Sequence, residues 1–376
     1  MSTPQGQPVG VAPVRGLGAV AVLAWTLGGC VPPSAAAAGD DGSDTVTTAA
    51  GATAAVSNPA PDAAAGPGAA AGAQPAGAAA GAGAAAGALP AAAVSVETHA
   101  ARHPSFDSYW YQGVGELNRY TLDQFRYGEN HAGVAVWVFV TEDFLADRHV
   151  KHEFGPSENA VSVLKHNAWR HFYTGVYPYS VFTTAFLPAR DAAGTALKVV
   201  CTVQEWCGTT FEQFNRRNDG WDVELRSYFQ AEGDTSSRVE GLLEDELPAR
   251  IRRGPATLPT GEQQVVPAAH ALRMLHREAR GERATISVAD VAATPRGPER
   301  ALAVTLRYTA FGREVTYYAT PVFPWQIVAW TERDGRAPGA VGTTTGTLAA
   351  SYLTDYWARH GTGDGAYREA LGLTLP

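Results

Sequence analysis

Short apolar runs separated by Gly, Asn and Asp occupy most of the chain after residue 109. Residues 135–140 are apolar at every position, which is typical of a central strand covered on both faces. Residues 211–229 predict a hairpin that turns at 218–220, and residues 301–308 and 314–320 predict a second strand pair. Because the connections are short, the pattern favours antiparallel pairing.

Helical signals are few. Ser237-Arg238-Val239-Glu240 is typical of a capping box and predicts a helix that ends near Pro248. Further helices are predicted after Pro267 and over 351–359. The first helix is expected to place four carboxylates on a solvated face: Glu240, Glu244, Asp245 and Glu246. The predicted class is α+β and β-rich, a curved, half-barrel-like antiparallel sheet with two or three helices.

The first residues predict export. Residues 16–27 form an apolar run that is too short to span a bilayer, which needs roughly 20 residues, and fits the hydrophobic region of a secretory signal. The run ends in Leu27-Gly28-Gly29-Cys30, which resembles the lipobox of bacterial lipoproteins. That resemblance implies a signal peptide over 1–29 and a lipid on Cys30. Val31 replaces the family's Asp retention signal, which favours the outer membrane if the host has one.

The segment 30–93 is predicted to be a disordered tether. Residues 31–93 contain no Lys, Arg or aromatic residue, and Gly and Pro interrupt each run of Ala. Its expected reach is on the order of 40–50 Å. The globular domain is then 94–376, with all aromatic residues except Trp25. The net charge of the chain is -8, so the sequence does not indicate nucleic-acid binding.

Two cysteines remain after Cys30. Cys201 and Cys207 lie in a β-branched segment predicted as one strand over 196–210. On a strand they share a face about 20 Å apart, whereas bridged α-carbons lie within about 7 Å. We therefore expect two buried thiols with no bridge between them. The histidines do not converge in the spacing of a zinc site, so no metal or cofactor is predicted.

A polar group and an aromatic group are the candidate sites. Glu205, Cys207, Glu232 and Asp234 form the polar candidate: a thiol can act as a nucleophile, and paired carboxylates can perform acid–base catalysis. Tyr177, Tyr179, Trp206 and Trp325 form the aromatic candidate: these side chains are expected near strand ends, where they can line the mouth of an apolar cavity.

Many motifs occur in one order over 109–373, and together they resemble a family of uncharacterised bacterial lipoproteins. They include Tyr109-Trp110, Arg126-Tyr127-Gly128-Glu129, Phe172-Tyr173-Thr174-Gly175, Tyr177-Pro178-Tyr179-Ser180, Gln204–Gly208, Ser227-Tyr228-Phe229 with Glu232 and Asp234, Arg273, His276, Phe323-Pro324, Trp330-x-Glu332 and Tyr356-Trp357. The label "septum formation inhibitor Maf" is often attached to this family. Maf pyrophosphatases carry a Ser-x-Ser-Pro-Arg-Arg motif that is absent here, so the label does not fit.

The resemblance implies no catalytic residue, and Cys201 departs from the family pattern. We therefore expect a lipoprotein anchored to a membrane outside the cytoplasm through Cys30. Its expected role is non-enzymatic binding of an apolar ligand or of an envelope partner. The alternative is an extracytoplasmic hydrolase that uses Cys207 or the Glu232/Asp234 pair.

Overall fold

The computed structural model describes residues 103–155, 158, 160–335 and 341–373. The predictions for the signal peptide, Cys30 and the tether lie outside these residues. Within them, the chain folds into one sixteen-stranded sheet that is curved and nearly closed, which confirms the predicted β-rich class. No helix among the described residues is long and apolar enough to span a membrane.

The strands follow one another closely along the chain. They are β1 (Gly115–Arg126), β2 (Glu129–Leu145), β3 (Val150–Lys151), β4 (Ala160–Thr174), β5 (Tyr177–Pro188), β6 (Lys198–Glu205), β7 (Gly208–Arg217), β8 (Gly220–Ser227), β9 (Thr235–Glu240), β10 (Leu242–Leu243), β11 (Gly261–Val266), β12 (Glu282–Val291), β13 (Ala301–Tyr308), β14 (Arg313–Ala319), β15 (Ile327–Gly335) and β16 (Val341–Thr354). The predicted pairs β7–β8 and β13–β14 are confirmed.

The strand order explains why the sheet nearly closes. It runs β10-β11-β12-β13-β14-β15-β16-β1-β2-β4-β5-β6-β7-β8-β9, with β3 beside β2. The two ends of this path, β9 and β10, are consecutive in sequence and joined by Gly241, whose φ is +121°. The buried Trp221 of β8 donates from its indole Nε1 to the Gly241 carbonyl at 2.9 Å. The β10–β11 pair is parallel, and the other pairs are antiparallel.

Four short α-helices occur among the described residues. They are α1 (Phe106–Trp110), α2 (Leu247–Arg253), α3 (Ala269–Leu275) and α4 (Gly365–Ala370), with 3-10 turns at Glu244–Glu246, Pro255–Thr257, Tyr356–Ala358 and Thr362–Asp364. Every residue of α2 is buried, so α2 lies inside the curve of the sheet. The helix predicted after Pro267 is confirmed as α3.

The helix predicted from Ser237 is wrong in its first half. Residues 235–240 instead pair with β8, and Val239 lies opposite the buried Trp221. The capping-box pattern also fits an alternating strand, because residues 237 and 239 share a face. Pro248 does not end a helix; it lies in the first turn of α2, where its missing N–H costs nothing.

Two further assignments also change. The helix predicted over 351–359 is a continuation of β16 to Thr354 followed by a 3-10 turn, because pairing with β1 extends to Gly115. The single strand predicted over 196–210 breaks into β6 and β7, which pair across a hairpin at Trp206-Cys207. Cys201 and Cys207 therefore do not share a strand face.

Candidate functional site

The interior of the sheet carries charge as well as apolar side chains. Glu244 and Glu246 are fully buried and Asp245 is 8% exposed, so the predicted solvated face is wrong for these three carboxylates. Glu244 pairs with the buried Arg313 at 2.6 Å. Glu246 accepts from the Ala196 backbone N–H at 2.7 Å. These carboxylates connect the segment before α2 to the sheet.

Other ion pairs inside the sheet are equally well buried. Arg252 on α2 pairs with Glu116 on β1, and Arg170 on β4 pairs with Glu332 on β15. A cavity of about 30 Å³ lies among Trp137, His166, Arg170, Thr183, Asp245, His270 and Tyr317. That volume holds about one or two water molecules. This part of the interior is therefore partly polar and nearly filled, whereas a protein that carries lipids needs a large apolar cavity.

Three hairpin tips at one end of the sheet bring aromatic side chains together. The tips are Tyr127-Gly128 between β1 and β2, Gly175-Val176 between β4 and β5, and Trp206-Cys207 between β6 and β7. Because β1, β4 and β6 run in the same direction, their C-terminal ends lie at the same end of the sheet. We call Tyr127, Tyr177, Tyr179 and Trp206 the aromatic rim.

The turn at Tyr127 is an unusual place for a bulky residue. Tyr127 has φ +54° and Gly128 has φ +93°, a left-handed pair that ordinarily favours Asn-Gly. A large side chain in this region costs about 1 kcal/mol or more. The conformation places the Tyr127 hydroxyl 2.7 Å from that of Tyr179 and 3.2 Å from that of Tyr177. The turn therefore assembles a cluster of three tyrosines.

The Arg126 side chain packs against two rings of this cluster. Its guanidinium carbon lies 4.5 Å from the centre of the Tyr127 ring and 5.5 Å from that of Tyr179. Its Nη1 donates to the Met274 carbonyl at 2.6 Å, at the C-terminal end of α3. A cation over aromatic faces is favourable and limits the orientations of the rings. The rim is thereby fixed to α3.

The hydroxyl groups of the cluster differ in acidity. Burial and the hydrogen bond to Tyr127 raise the pKa of Tyr177 to about 12, and the same causes raise the pKa of Tyr179. Burial alone would raise the pKa of Tyr127, but its hydrogen bonds with the two tyrosines and the Arg126 charge lower it instead. The three hydroxyl groups therefore form one hydrogen-bonded cluster beside the Arg126 charge.

The rim presents large aromatic surfaces to solvent. Trp206 is 69% exposed and Tyr127 is 60% exposed. The rings of Tyr177 and Trp206 have centroids 6.3 Å apart and planes that diverge by 26°, so they form adjacent parts of one surface. Tyr179 is buried and stacks on Phe172 at 4.9 Å, which supports the exposed rings from below.

Trp325, the fourth aromatic candidate, does not join the rim. It lies just before β15, and the chain of antiparallel pairs places the start of β15 at the opposite end of the sheet from the start of β5. There it packs edge-on against Phe323 at 5.2 Å, while the Pro324 carbonyl accepts from Arg252 at 2.9 Å. Its surroundings indicate a packing role.

A charged cavity lies beside the rim, between α3 and strands β7, β8 and β9. It has a volume of about 280 Å³, and its wall includes Glu212, Glu232, Arg273 and His276. The buried Arg273 bridges the carboxylates, with Nε 3.0 Å from Glu212 and Nη1 2.8 Å from Glu232. His276 Nδ1 lies 3.2 Å from Glu232 Oε1. We call this space the Arg273 cavity.

The carboxyl groups of the cavity have pKa values displaced in opposite directions. Burial raises the pKa of Glu212 to about 7, although Arg273 acts against it. Burial would also raise the pKa of Glu232, but hydrogen bonds from His276 and Ser227 and the Arg273 charge lower it. Near neutral pH the cavity therefore holds one carboxyl that carries a proton part of the time and one carboxylate.

The other polar candidates are spread along the rim end. Asp234 accepts from the Ser227 backbone N–H at 3.1 Å and shapes the loop after β8. Glu205 accepts from the Cys207 backbone N–H at 2.7 Å and shapes the β6–β7 hairpin. Glu232 alone of the four enters the Arg273 cavity. The predicted Glu232/Asp234 pair is thus replaced by Glu232 with Glu212.

The two cysteines have different environments. They are not bridged to each other, as expected, but only Cys201 is buried, and Cys207 is exposed on the hairpin. Burial raises the pKa of the Cys201 thiol, which accepts from Thr183. The expectation that both thiols are buried is wrong for Cys207 because the chain turns at that residue. Among the described residues, no three His, Cys, Asp or Glu side chains converge on a metal position.

The comparisons with known proteins give one distant likeness. No protein-family model matches the sequence, and no curated protein matches it. Among solved structures, the chain is similar to the β-barrel-like protein of the domain of unknown function DUF1849 from Brucella abortus. The two chains are 10% identical, the match covers 64% of this chain and 98% of the other, and the TM-score is 0.39. A likeness at this level carries no argument about function.

Proposed function

We propose that this protein is an exported lipoprotein, anchored through Cys30, whose folded domain binds neutral oligosaccharides of the cell envelope without chemical conversion. The observation that carries the proposal is the aromatic rim, in which adjacent hairpins hold exposed rings beside tyrosine hydroxyls. A neutral oligosaccharide is a third kind of ligand, beside the apolar ligand and the envelope partner that the sequence leaves open.

The chemistry of the rim supports a sugar. One face of a sugar ring carries C–H groups with partial positive charge, which suits the negative face of an aromatic ring. The edge of the same ring carries hydroxyls, which suit the hydroxyl of Tyr127. Tyr and Trp also provide contact area at a low entropic cost.

Other ligands suit the rim less well. Insertion into lipid would remove water from the exposed hydroxyls of Tyr127 and Tyr177, which is costly. Glu129 directly follows the Tyr127-Gly128 tip, and Glu205 directly precedes the Trp206-Cys207 tip. Because these carboxylates are negatively charged, they disfavour anionic surfaces and nucleic acids. A neutral ligand with both an apolar face and hydrogen-bonding edges satisfies all these groups.

A binding screen with the full-length protein tests the proposal. The panel holds immobilised neutral oligosaccharides, acidic oligosaccharides, and vesicles of zwitterionic and of anionic phospholipid. We expect selective binding to neutral oligosaccharides, with the oligosaccharide recovered intact. Binding that is confined to vesicles or to acidic sugars would contradict the proposal, as would no binding to any member of the panel.

A second candidate function, hydrolysis, is favoured by one observation. Glu212 and Glu232 face one cavity with pKa values displaced in opposite directions, a pattern that separates a general acid from a base. Hydrolysis is disfavoured by another observation: Glu232 already contacts Arg273, His276 and Ser227, so it is not placed to act as a base on a substrate. Release of shorter sugars from a bound oligosaccharide, lost in Glu212→Gln, would establish this function instead.

A further inference from the structure

The aromatic rim and the Arg273 cavity lie next to each other. From Trp206 the β6–β7 hairpin leads to Gly208, where an added Cβ would lie 3.0 Å from the rings of Tyr228 and Phe229. Glycine at this position therefore lets the two rings lie close against the hairpin. The Phe229 ring then contacts His276, with centroids 4.7 Å apart. A continuous surface therefore extends from the rim to His276, which lines the cavity.

The helix α3 fixes the two parts relative to each other. Arg126, which supports the rim, donates to the Met274 carbonyl at 2.6 Å. The preceding residue, Arg273, bridges the two carboxylates of the cavity. Because a single short helix meets both parts, the spacing between rim and cavity is set by the fold.

Polar and apolar side chains are interleaved in the cavity lining, since Ser237 on β9 pairs directly with Val223 on β8. Glu212, Glu232, Thr235 and Ser237 provide oxygen atoms that can bond hydroxyl or amide hydrogens, whereas Val223, Leu225, Ala231 and Ala279 provide apolar surface. Nε of Arg273 donates to Glu212 and Nη2 donates to the Arg277 carbonyl, whereas Nη1 forms an ion pair with Glu232 but no hydrogen bond within the described part of the chain. The two carboxyl groups beside the guanidinium disfavour an anionic ligand.

We infer that the Arg273 cavity is the terminal subsite of an elongated binding site and takes the end ring of a neutral oligosaccharide whose preceding rings lie on the aromatic rim. This inference rests on the proposed function. A volume of about 280 Å³ is slightly below the range of roughly 300–1,000 Å³ for drug-sized ligands, which suits one ring. The interleaved oxygen atoms and apolar side chains suit a ring substituent that carries both an N–H group and a methyl group, such as the acetamido group of N-acetylglucosamine.

The test is a length series of N-acetylglucosamine oligomers, from the single sugar to the hexamer, titrated against the full-length protein. We expect a steep gain in affinity, about tenfold, at the length that first reaches from the rim into the cavity. Ala231→Trp, at an exposed lining position, should fill the cavity and remove this gain while leaving the affinity for shorter oligomers unchanged.

A second variant that fills the Arg273 cavity controls for misfolding of the first. Thr235→Trp, at the start of β9 and also exposed, should act like Ala231→Trp, and thermal melts should show both folded. Trp206→Ala should weaken all lengths together, because it alters the rim. If the filling variants keep the full length dependence, the subsite is overturned and the rim proposal survives. If no length binds the unmodified protein, the subsite is overturned, and the panel of neutral oligosaccharides decides the rim proposal separately.

Discussion

Replacing Asp245 by Asn should make the protein more stable at pH 8 while changing little near pH 4. The Asp245 side chain is 8% exposed, and its Oδ2 accepts from the Ala269 backbone N–H at 2.9 Å. Burial raises its pKa to about 7; the Ala269 bond acts against this, whereas Glu244 and Glu212 add to it. Asn has the shape of the protonated acid and keeps the accepting oxygen.

The sign follows from proton binding. An unfolded Asp has a pKa of about 3.9, so between pH 4 and pH 7 the folded protein holds a proton that the unfolded chain has lost. Stability from this group therefore falls as pH rises through that window and is constant above it. The folded and unfolded pKa values of Asp245 differ by about three units, which corresponds to a loss of at most about 4 kcal/mol in unfolding free energy above pH 7. The Asp245→Asn variant should not suffer this loss, so it should be more stable by that amount at pH 8.

The assay is urea unfolding of the full-length protein and the variant, followed by tryptophan fluorescence at pH 4, 6 and 8. The difference in unfolding free energy between the two proteins should grow with pH. Glu332→Gln is the control, because the pKa of Glu332 is lowered well below its usual range by Arg170, His270 and Arg313 against the effect of burial. Its cost, roughly 3–5 kcal/mol, should stay constant between pH 6 and pH 8. A pH-independent effect of Asp245→Asn would refute the reasoning.

Three further outcomes are expected. Cys30→Ala should move the protein from the membrane fraction to the soluble fraction or leave an uncleaved precursor; unchanged detergent partition would argue against the lipid anchor. Maleimide should label Cys207 rapidly in the folded protein and Cys201 only after unfolding, as read by mass spectrometry of peptides. Gly346→Ala should destabilise by about 1–3 kcal/mol or more, because its Cβ would lie 2.1 Å from the Trp330 ring; an unchanged melting temperature would contradict this packing.

The hairpins were predictable because their signals are local. Turn residues at 218–220 and alternation on either side suffice to pair β7 with β8. The segment 237–246 was not predictable in the same way. Its pattern suits both a helix and a strand, and the choice depends on closure of the sheet, where β8 needs a partner beside Trp221. The burial of Glu244 depends likewise on Arg313, which is distant in sequence.

The candidate site was predictable only in part. Tyr177, Tyr179 and Trp206 meet because they flank the ends of neighbouring strands, β5 and β6, which short connections already imply. Trp325 could be excluded only by following the strand direction through the whole sheet. Tyr127 was missed as a site residue, although its position between two β-like runs, followed by Gly128, marks a turn whose side chain must project from the sheet end.

The central claim is tested most directly by the affinity of two tryptophan variants for the N-acetylglucosamine hexamer. Trp206→Ala removes the most exposed ring of the aromatic rim, and Trp357→Ala removes a ring that is 50% exposed at the other end of the sheet. By isothermal titration, Trp206→Ala should lose about 30-fold in affinity, the equivalent of roughly 2 kcal/mol, and Trp357→Ala should match the unmodified protein. Equal affinities for all three proteins would contradict the account.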